Sequence, residues 1–303
     1  MCKENFFKEY ENCKLCARAC GVNRNKGELG FCESTNELRI SRAALHMWEE
    51  PPISGNNGSG TVFFTGCSLS CIFCQNHSIS NSKEISESFY KVVSPRELAQ
   101  IMIDLQASGA HNINLVTPTH YVPSIIDAVS ISKELGLDIP VVYNTGGYDS
   151  VDTIKSLQNT VDVYLADYKF FLSSTAGKYS AASNYPQTAR AAIAEMYRQV
   201  GAVKIENGIM RSGVVVRILL LPSHLAEAKL IVKYLYDTYG DSIYISLMSQ
   251  YTPMPNLPSP LSRRVSKGEY DELVDYAVSK GIKNAFIQDG ESASDSFIPS
   301  FGW

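Results

Sequence analysis

The stretch TVFFTGCSLSCIFC, residues 61–74, decides the fold, because a short apolar run passes through a glycine directly into three closely spaced cysteines. The run has the length and the β-branched and aromatic content of a buried strand. Six comparable runs follow, at residues 112–117, 139–144, 161–167, 214–221, 242–248 and 284–288. Their starts lie about 37 residues apart on average, close to the βα period of a barrel. The pattern predicts an α/β protein with a partial or complete (β/α) barrel, and the alternative is a doubly wound open sheet.

Helix start signals separate these runs. Ser94, Pro95 and Glu97 supply a capping serine, a proline at the first helical position and the glutamate of a capping box. Ser266 and Glu269 repeat the capping box without the proline. Further helices are predicted over residues 123–135, 149–157, 186–200 and 223–239.

Composition excludes several classes of protein. The chain has 303 residues, of which 45% are hydrophobic, so it contains enough apolar material for a large core and is not disordered. Its net charge of −4 disfavours a nucleic-acid-binding surface. The polar N-terminal residues do not resemble a secretory signal, and no run of roughly 20 apolar residues predicts a membrane span. We therefore expect a cytoplasmic protein with neither nucleic acid nor membrane as a partner.

All eight cysteines lie within the first 74 residues. In a reduced chain, clustered thiols are more often metal ligands than disulfides. Their distribution divides the chain into a cysteine-rich cap and connector (residues 1–60), a barrel (61–290) and a C-terminal tail (291–303). We expect the aromatic residues of the tail to pack against the barrel, and the alternative is that they help to form a partner surface.

Cys67, Cys71 and Cys74 have the spacing C-x3-C-x2-C. Three thiolates in one loop can hold three irons of a [4Fe-4S] cube and leave the fourth iron open to a substrate-like ligand. The alternative interpretation is a zinc loop, or a disulfide with one spare thiol.

With Phe73 before its last cysteine, this motif resembles the signature of the radical S-adenosylmethionine (radical SAM) superfamily. The resemblance implies a partial (β/α)6 barrel, a [4Fe-4S] cluster and S-adenosylmethionine, which the reduced cluster cleaves to a 5′-deoxyadenosyl radical. The segments GCSLSCIFCQN, VTPTHYVP and SFIPSF further resemble homologues of the pyruvate formate-lyase activating enzymes. That branch usually carries a Gly-Gly-Glu type motif after its second strand, where this chain has Thr117-Pro118-Thr119-His120.

The resemblance also implies the residues that bind S-adenosylmethionine. In chain order these are Phe73, Asn76, Thr117, Thr119, His120, Asn144, Asp167, Lys169 and Arg217. His120 is the candidate for proton transfer or ligand contact, and otherwise an ordinary helix-entry residue. Arg217 resembles the arginine that faces the ligand carboxylate, and its alternative role is an internal salt bridge with Asp167 or Glu206.

Cys13, Cys16, Cys20 and Cys32 form a second group, with the spacing C-x2-C-x3-C-x11-C. Four thiolates close a tetrahedral site, which suits structural zinc or an auxiliary iron–sulfur cluster. The spacing does not distinguish zinc from an iron–sulfur cluster.

Three functions follow from these patterns. The first is activation of a glycyl-radical enzyme such as pyruvate formate-lyase, with a flavodoxin or ferredoxin as reductant. The second is radical chemistry on a small molecule or a peptide. The third is an electron-transfer or zinc-binding module. That function would not explain why three cysteines leave one metal position without a cysteine ligand.

Overall fold

The structure, a computed structural model, describes residues 8–80, 85–288 and 301. The predicted tail, 291–303, therefore lies outside the described residues except for Phe301. The ring of Phe301 meets that of Phe63 edge-on, with 5.4 Å between the ring centroids.

Ten strands form within these residues, and each of the seven predicted runs overlaps one of them. They are β1 (Leu38–His46), β2 (Ser59–Phe64), β3 (Lys91–Val93), β4 (Ile113–Val116), β5 (Val141–Thr145), β6 (Val163–Asp167), β7 (Lys204–Glu206), β8 (Ile209–Leu219), β9 (Tyr244–Met248) and β10 (Ala285–Ile287). All the residues of β2 and β5 are buried, as expected of strands covered on both faces.

The sheet has the strand order β10-β9-β8-β6-β5-β4-β2-β1-β3. From β2 to β10 each neighbouring pair is parallel, whereas β1 pairs antiparallel with both β2 and β3. The parallel strands follow chain order without a reversal. A doubly wound sheet would reverse its strand order at a switch point, so the architecture is the partial TIM-like barrel.

Ten α-helices accompany these strands in the same part of the chain. They are α1 (Lys8–Glu11), α2 (Pro51–Ser54), α3 (His77–Ser80), α4 (Pro95–Ala107), α5 (Val122–Glu134), α6 (Val151–Ser156), α7 (Ser173–Ser180), α8 (Tyr185–Val200), α9 (Leu225–Tyr239) and α10 (Lys267–Ser279). Both predicted capping boxes form, at the starts of α4 and α10. None of the helices in the described ranges is long and apolar enough to cross a membrane.

A strand and a short helix form within the predicted cap and connector. β1 lies inside the predicted cap and connector, and its register pairs His46 with Ser59 at the start of β2. The segment between them therefore lies at the end of the barrel where the parallel strands begin. There Ile53 of α2 is fully buried in an apolar cluster with residues of β5, β6 and β8. Charged residues interrupt the apolar pattern of β1, which is why periodicity did not reveal this strand.

Candidate active site

The cysteine loop begins directly after β2 and is held against α7. The amide of Ile72 donates to the carbonyl of Tyr179 at 3.0 Å, and the Cys71 sulfur lies 2.9 Å from the Ser180 hydroxyl oxygen. Cys67, Cys71 and Cys74 all carry free thiols. The fold therefore presents three thiols from one short, anchored loop at the end of the first parallel strand.

Burial raises the pKa of the Cys71 thiol to about 11, and the Lys169 ammonium opposes this rise. Burial also raises the pKa of Cys67. A buried thiol of this kind needs a neighbouring positive charge or a metal to become the thiolate that ligates iron. Lys169 supplies such a charge beside the loop.

A cavity of about 230 Å³ opens beside the cysteine loop. Its walls come from the loop, from the ends of β6 and β8, and from the segment after β9. The lining residues are Cys71, Phe73, Cys74, Gln75, Asn76, Asp167, Lys169, Arg217, Leu219, Met248, Gln250 and Tyr251. Five residues predicted to contact S-adenosylmethionine thus line one pocket with two cysteines of the loop: Phe73, Asn76, Asp167, Lys169 and Arg217.

Asp167 joins the two cations of the pocket. Its carboxylate accepts from the Lys169 ammonium at 2.6 Å and from Nε of Arg217 at 2.7 Å. Burial by itself would raise the pKa of Asp167, but the charges of Arg217 and Lys169 outweigh burial and hold that pKa below its usual value. Asp167 is therefore ionised, and it orients both cations at the strand ends.

Arg217 has a second carboxylate partner, Glu49, which the sequence did not indicate. Its Nη1 lies 3.2 Å from Oε2 of Glu49, and its Nη2 donates to the side-chain oxygen of Asn144 at 2.6 Å. The side-chain amides of Asn144 and Asn114 in turn donate to Oε1 of Glu49, at 3.2 and 2.9 Å. Asn144, also predicted to contact S-adenosylmethionine, therefore lies directly against Arg217.

The sequence offered Asp167 or Glu206 as the internal partner of Arg217. The Asp167 interaction is present, but Glu206 is the wrong partner. Glu206 ends β7, which pairs antiparallel with the first part of β8, and its carboxylate lies 3.6 Å from Arg211 at the surface. β7 is thus paired to the start of β8, away from the position of Arg217.

Thr119 and His120 do not reach the pocket wall. The Thr119 hydroxyl donates to buried Asp149 at 2.7 Å, and Nε2 of His120 donates to the Thr65 carbonyl at 2.7 Å. The guanidinium of Arg24, from the N-terminal segment, donates to the His120 carbonyl. Thr117 donates its amide to the Asn144 carbonyl and has a left-handed backbone with φ of 57°. The turn predicted to contact the ligand is therefore covered by the cap.

We expect His120 to make stability sensitive to acid. Burial and the nearby charge of Arg24 lower the pKa of His120 to about 3. Below about pH 6.5 the unfolded chain binds a proton that the folded chain does not, so this group alone removes up to about 1.4 kcal/mol of stability per pH unit down to pH 3. Denaturant unfolding of wild type and His120→Gln between pH 7.5 and 5 measures the effect. The variant should show the shallower pH dependence, and equal slopes would contradict the assignment.

The four N-terminal cysteines are near one another in the cap. Burial raises the pKa of Cys16 to about 12, and the thiols of Cys32, Cys13 and Cys20 raise it further. Among the described residues, no three or more His, Cys, Asp or Glu side chains converge as a site for a single metal ion. A second metal at these cysteines stays a prediction.

The cap contacts the cysteine loop through Gly66. This residue has φ of 84°, and a Cβ built on it would lie 2.4 Å from the Ser34 hydroxyl and 2.7 Å from the Cys32 carbonyl oxygen. We expect Gly66→Ala to lower the free energy of unfolding by about 2 kcal/mol, because the left-handed backbone and the close approach both disfavour a side chain. Denaturant unfolding tests this prediction.

The matched control is Gly268→Ala, in helix α10, where a Cβ meets nothing within 4 Å. This change should leave stability the same or raise it by up to about 1 kcal/mol. An equal loss in the two variants would show that contact with the cap is not the cause.

Comparison with known proteins places the chain in a family. The family model described as the radical SAM superfamily matches residues 61–228. An uncharacterized protein of Methanocaldococcus jannaschii is 30% identical over 275 residues, which cover 88% of this chain and 75% of that protein.

Solved structures share the fold. The crystal structure of Streptococcus suis SuiB superposes with a TM-score of 0.50 at 11% identity, and SuiB bound to its precursor peptide SuiA with 0.51 at 12%. Each match covers 75% of this chain. It covers about half of the SuiB chain, 48% in the first structure and 47% in the second. Since the family match begins at the strand that leads into the cysteine loop and extends over more than half of the sequence, the chain belongs to the radical SAM superfamily.

Proposed function

We propose that this chain is a radical SAM enzyme in which Cys67, Cys71 and Cys74 hold a [4Fe-4S] cluster and the adjoining pocket binds S-adenosylmethionine. One observation carries the proposal: Cys71 and Cys74 line the same cavity as Asp167, Lys169 and Arg217. When bound, the cluster and S-adenosylmethionine supply one electron and a sulfonium, which give methionine and a 5′-deoxyadenosyl radical that takes a hydrogen atom from the substrate.

The donors in the pocket fit these two groups. Three cysteines supply three of the four ligands of a cube, and the remaining position suits a bidentate small-molecule ligand. Lys169 opposes the effect of burial on the Cys71 thiol and so favours the thiolate that binds iron.

The polar wall of the pocket matches the charges of an amino acid. Lys169 and Arg217 are cations held by Asp167, and the guanidinium has donors beyond those used by Asp167, Glu49 and Asn144. A carboxylate would accept from these cations, whereas an amino group would donate to Asp167. The carboxylate and the amino group on Cα of the methionine moiety thus find complementary partners on one wall.

The apolar wall of the pocket limits access of water. Phe73 is buried and packs edge-on against Phe170 and Tyr251, with ring centroids 6.3 and 6.1 Å apart. Leu219 and Met248 extend the apolar surface. Excluding water protects a reactive intermediate from side reactions.

For the substrate, we favour the glycyl residue of a partner enzyme of the pyruvate formate-lyase type, with a flavodoxin or ferredoxin as electron donor in a reducing cytoplasm. This choice is supported by the resemblance of residues 66–76 to homologues of the pyruvate formate-lyase activating enzymes, and by the resemblance of Asp167-Tyr168-Lys169 to a segment of those enzymes. The second candidate is a small molecule or a peptide. It is favoured by Thr117-Pro118-Thr119-His120, which stands where those enzymes carry a different motif.

The test begins with anaerobic reconstitution of the full chain with iron and sulfide. Dithionite and S-adenosylmethionine are then added, and 5′-deoxyadenosine is quantified by liquid chromatography. We expect cluster-dependent 5′-deoxyadenosine, and its absence from a protein that contains the cluster would overturn the proposal.

Adding pyruvate formate-lyase to the same mixture tests the substrate. A glycyl radical detected by electron paramagnetic resonance (EPR) would support activation. Continued formation of 5′-deoxyadenosine without that radical would count against pyruvate formate-lyase as the partner.

A further inference from the structure

The N-terminal segment folds back on itself and so gathers its four cysteines. The amide of Cys13 donates to the Val22 carbonyl at 3.1 Å, and the Gly21 amide donates back to the Cys13 carbonyl at 3.0 Å. Farther along, the Phe31 amide donates to the Cys20 sulfur at 3.4 Å. These contacts bring the chain on either side of Cys16 together and place Cys20 beside the residue that precedes Cys32.

Gly30 leaves room for the Cys20 sulfur. A Cβ built at Gly30 would lie only 3.1 Å from that sulfur, so a larger residue there would press on the thiol. The Phe31 amide donates its hydrogen bond to this same Cys20 sulfur. Amide donors to cysteine sulfur stabilise thiolate ligands and tune the potential of iron–sulfur clusters.

This gathered segment lies directly on the cysteine loop of the active site. The Cys32 carbonyl meets Gly66, the residue before Cys67, at the close approach described above. Arg18 adds a second connection, because its Nε donates to the carbonyl of Ser68, between Cys67 and Cys71, at 3.0 Å. The two cysteine groups are therefore neighbours across one backbone contact.

Arg18 also ties the segment to the residue that contacts Cys71. Its Nη2 donates to the Ser180 carbonyl at 3.3 Å, and the Ser180 hydroxyl lies 2.9 Å from the Cys71 sulfur. A single side chain thus connects the cap to the first part of the loop and to the helix residue that contacts Cys71.

The four N-terminal cysteines differ in exposure. Cys20 is exposed, Cys16 is intermediate, and Cys13 and Cys32 are buried. Cys32, which contacts the active-site loop, is thus on the interior side, and Cys20 is on the solvent side. The group spans the path from the surface to the loop.

We propose that Cys13, Cys16, Cys20 and Cys32 bind a second iron–sulfur cluster, which transfers electrons to the cluster at Cys67, Cys71 and Cys74. A low-potential one-electron donor protein of the flavodoxin or ferredoxin class reduces the outer cluster by one electron. The outer cluster is reoxidised when it passes that electron to the inner one, and no bond or proton is transferred. This inference rests on the proposed function, since a relay needs a redox centre at the inner site.

The placement favours a cluster over zinc. Zinc requires all four sulfurs within about 2.3 Å of a single point, whereas each cysteine of a cluster binds a different iron. Zinc also has no redox chemistry, so a zinc site could stabilise the cap but could not pass an electron to the inner loop.

The first experiment separates the outer site from the inner one. The variant Cys67→Ala/Cys71→Ala/Cys74→Ala is purified and reconstituted anaerobically, and its iron, sulfide and zinc are measured. We expect about four irons per chain, together with an EPR signal after one-electron reduction. Zinc without iron, or no metal at all, would overturn the proposal.

Cys2→Ser is the matched control, because Cys2 is the one cysteine in the sequence that belongs to neither group. It should retain the iron content of the wild type. A loss of four irons in this variant would show that Cys2 replaces one of the four proposed ligands.

The second experiment tests electron transfer. Reduced flavodoxin is first mixed with the triple variant, and we expect the outer cluster to become reduced. It is then mixed with Cys13→Ala/Cys16→Ala, in which we expect the inner cluster to become reduced at least about tenfold more slowly than in the wild type. Freeze-quench EPR measures both rates. Reduction of the inner cluster at the wild-type rate would overturn the relay.

If Cys13→Ala/Cys16→Ala does not fold, reduction of the outer cluster in the triple variant still tests the relay. A flavodoxin that reduces the wild-type inner cluster but not the outer cluster of the triple variant would also overturn the relay. Failure of the proposed function is a separate result: wild-type protein with both clusters that forms no 5′-deoxyadenosine with dithionite.

Discussion

Cys71→Ala is expected to abolish both the inner cluster and the cleavage of S-adenosylmethionine. Cys71 lines the pocket, and the charge of Lys169 favours its thiolate. Without it two cysteines remain in the loop, and two ligands do not hold a cube. The measurement is iron content and dithionite-driven 5′-deoxyadenosine in wild type and variant. The expected activity is below about one thousandth of wild type, since catalysis by the inner site has no other source of the radical.

Ile72→Ala is the control for this change. Ile72 follows Cys71 in the loop, and its side chain is 41% exposed, so truncation removes little packing and no ligand. It should retain iron. Cleavage at the wild-type rate in Cys71→Ala would contradict the assignment of the triplet.

Arg217→Ala is expected to impair both folding and ligand binding. Arg217 is the shared partner of Asp167 and Glu49, and its charge also acts on buried Glu50. Removing it leaves these carboxylates without their main cation, and breaking a buried ion pair typically costs about 3–5 kcal/mol of stability. If Arg217 also holds the ligand carboxylate, S-adenosylmethionine binding should weaken by roughly 1.5–3 kcal/mol.

Two measurements separate these effects. Denaturant unfolding reports the ion network, whereas anaerobic calorimetric titration with S-adenosylmethionine reports the ligand contact. Unchanged affinity in a folded variant would restrict Arg217 to a structural role. Unchanged stability would show that the network does not contribute to folding.

Glu49→Gln provides the double-mutant cycle. Adding it to Arg217→Ala removes one of the uncompensated buried charges, so part of the lost stability should return. The two side chains are 3.2 Å apart, close enough to couple. Purely additive losses would show that Glu49 and Arg217 act independently.

The barrel was predictable because its signals are local. Seven apolar runs and two capping boxes each lie within a few residues, and all of them form as predicted. β3 was missed at the sheet edge and β7 outside the main order, because their exposed residues interrupt the apolar pattern. β1 lies between β2 and β3 and was missed because Arg39 and Arg42 interrupt its apolar pattern.

The pocket was predictable in part, through the rule that barrel chemistry lies where parallel strands end. That rule correctly brought Asp167 and Lys169 to the pocket that Cys71 and Cys74 also line. It failed for Thr119 and His120, because a strand end is accessible only if nothing covers it. Here Arg24 of the cap binds the His120 carbonyl.

The sequence by itself determined the seven parallel strands, the capped starts of α4 and α10 and the two groups of cysteines, because each depends on residues close together in the chain. Only the tertiary structure decided that Glu49 neutralises Arg217 and that Cys32 lies against Gly66. Both are contacts between segments far apart in the chain. They depend on how the connector enters one end of the barrel and the cap covers the other, and no local periodicity or spacing encodes that packing.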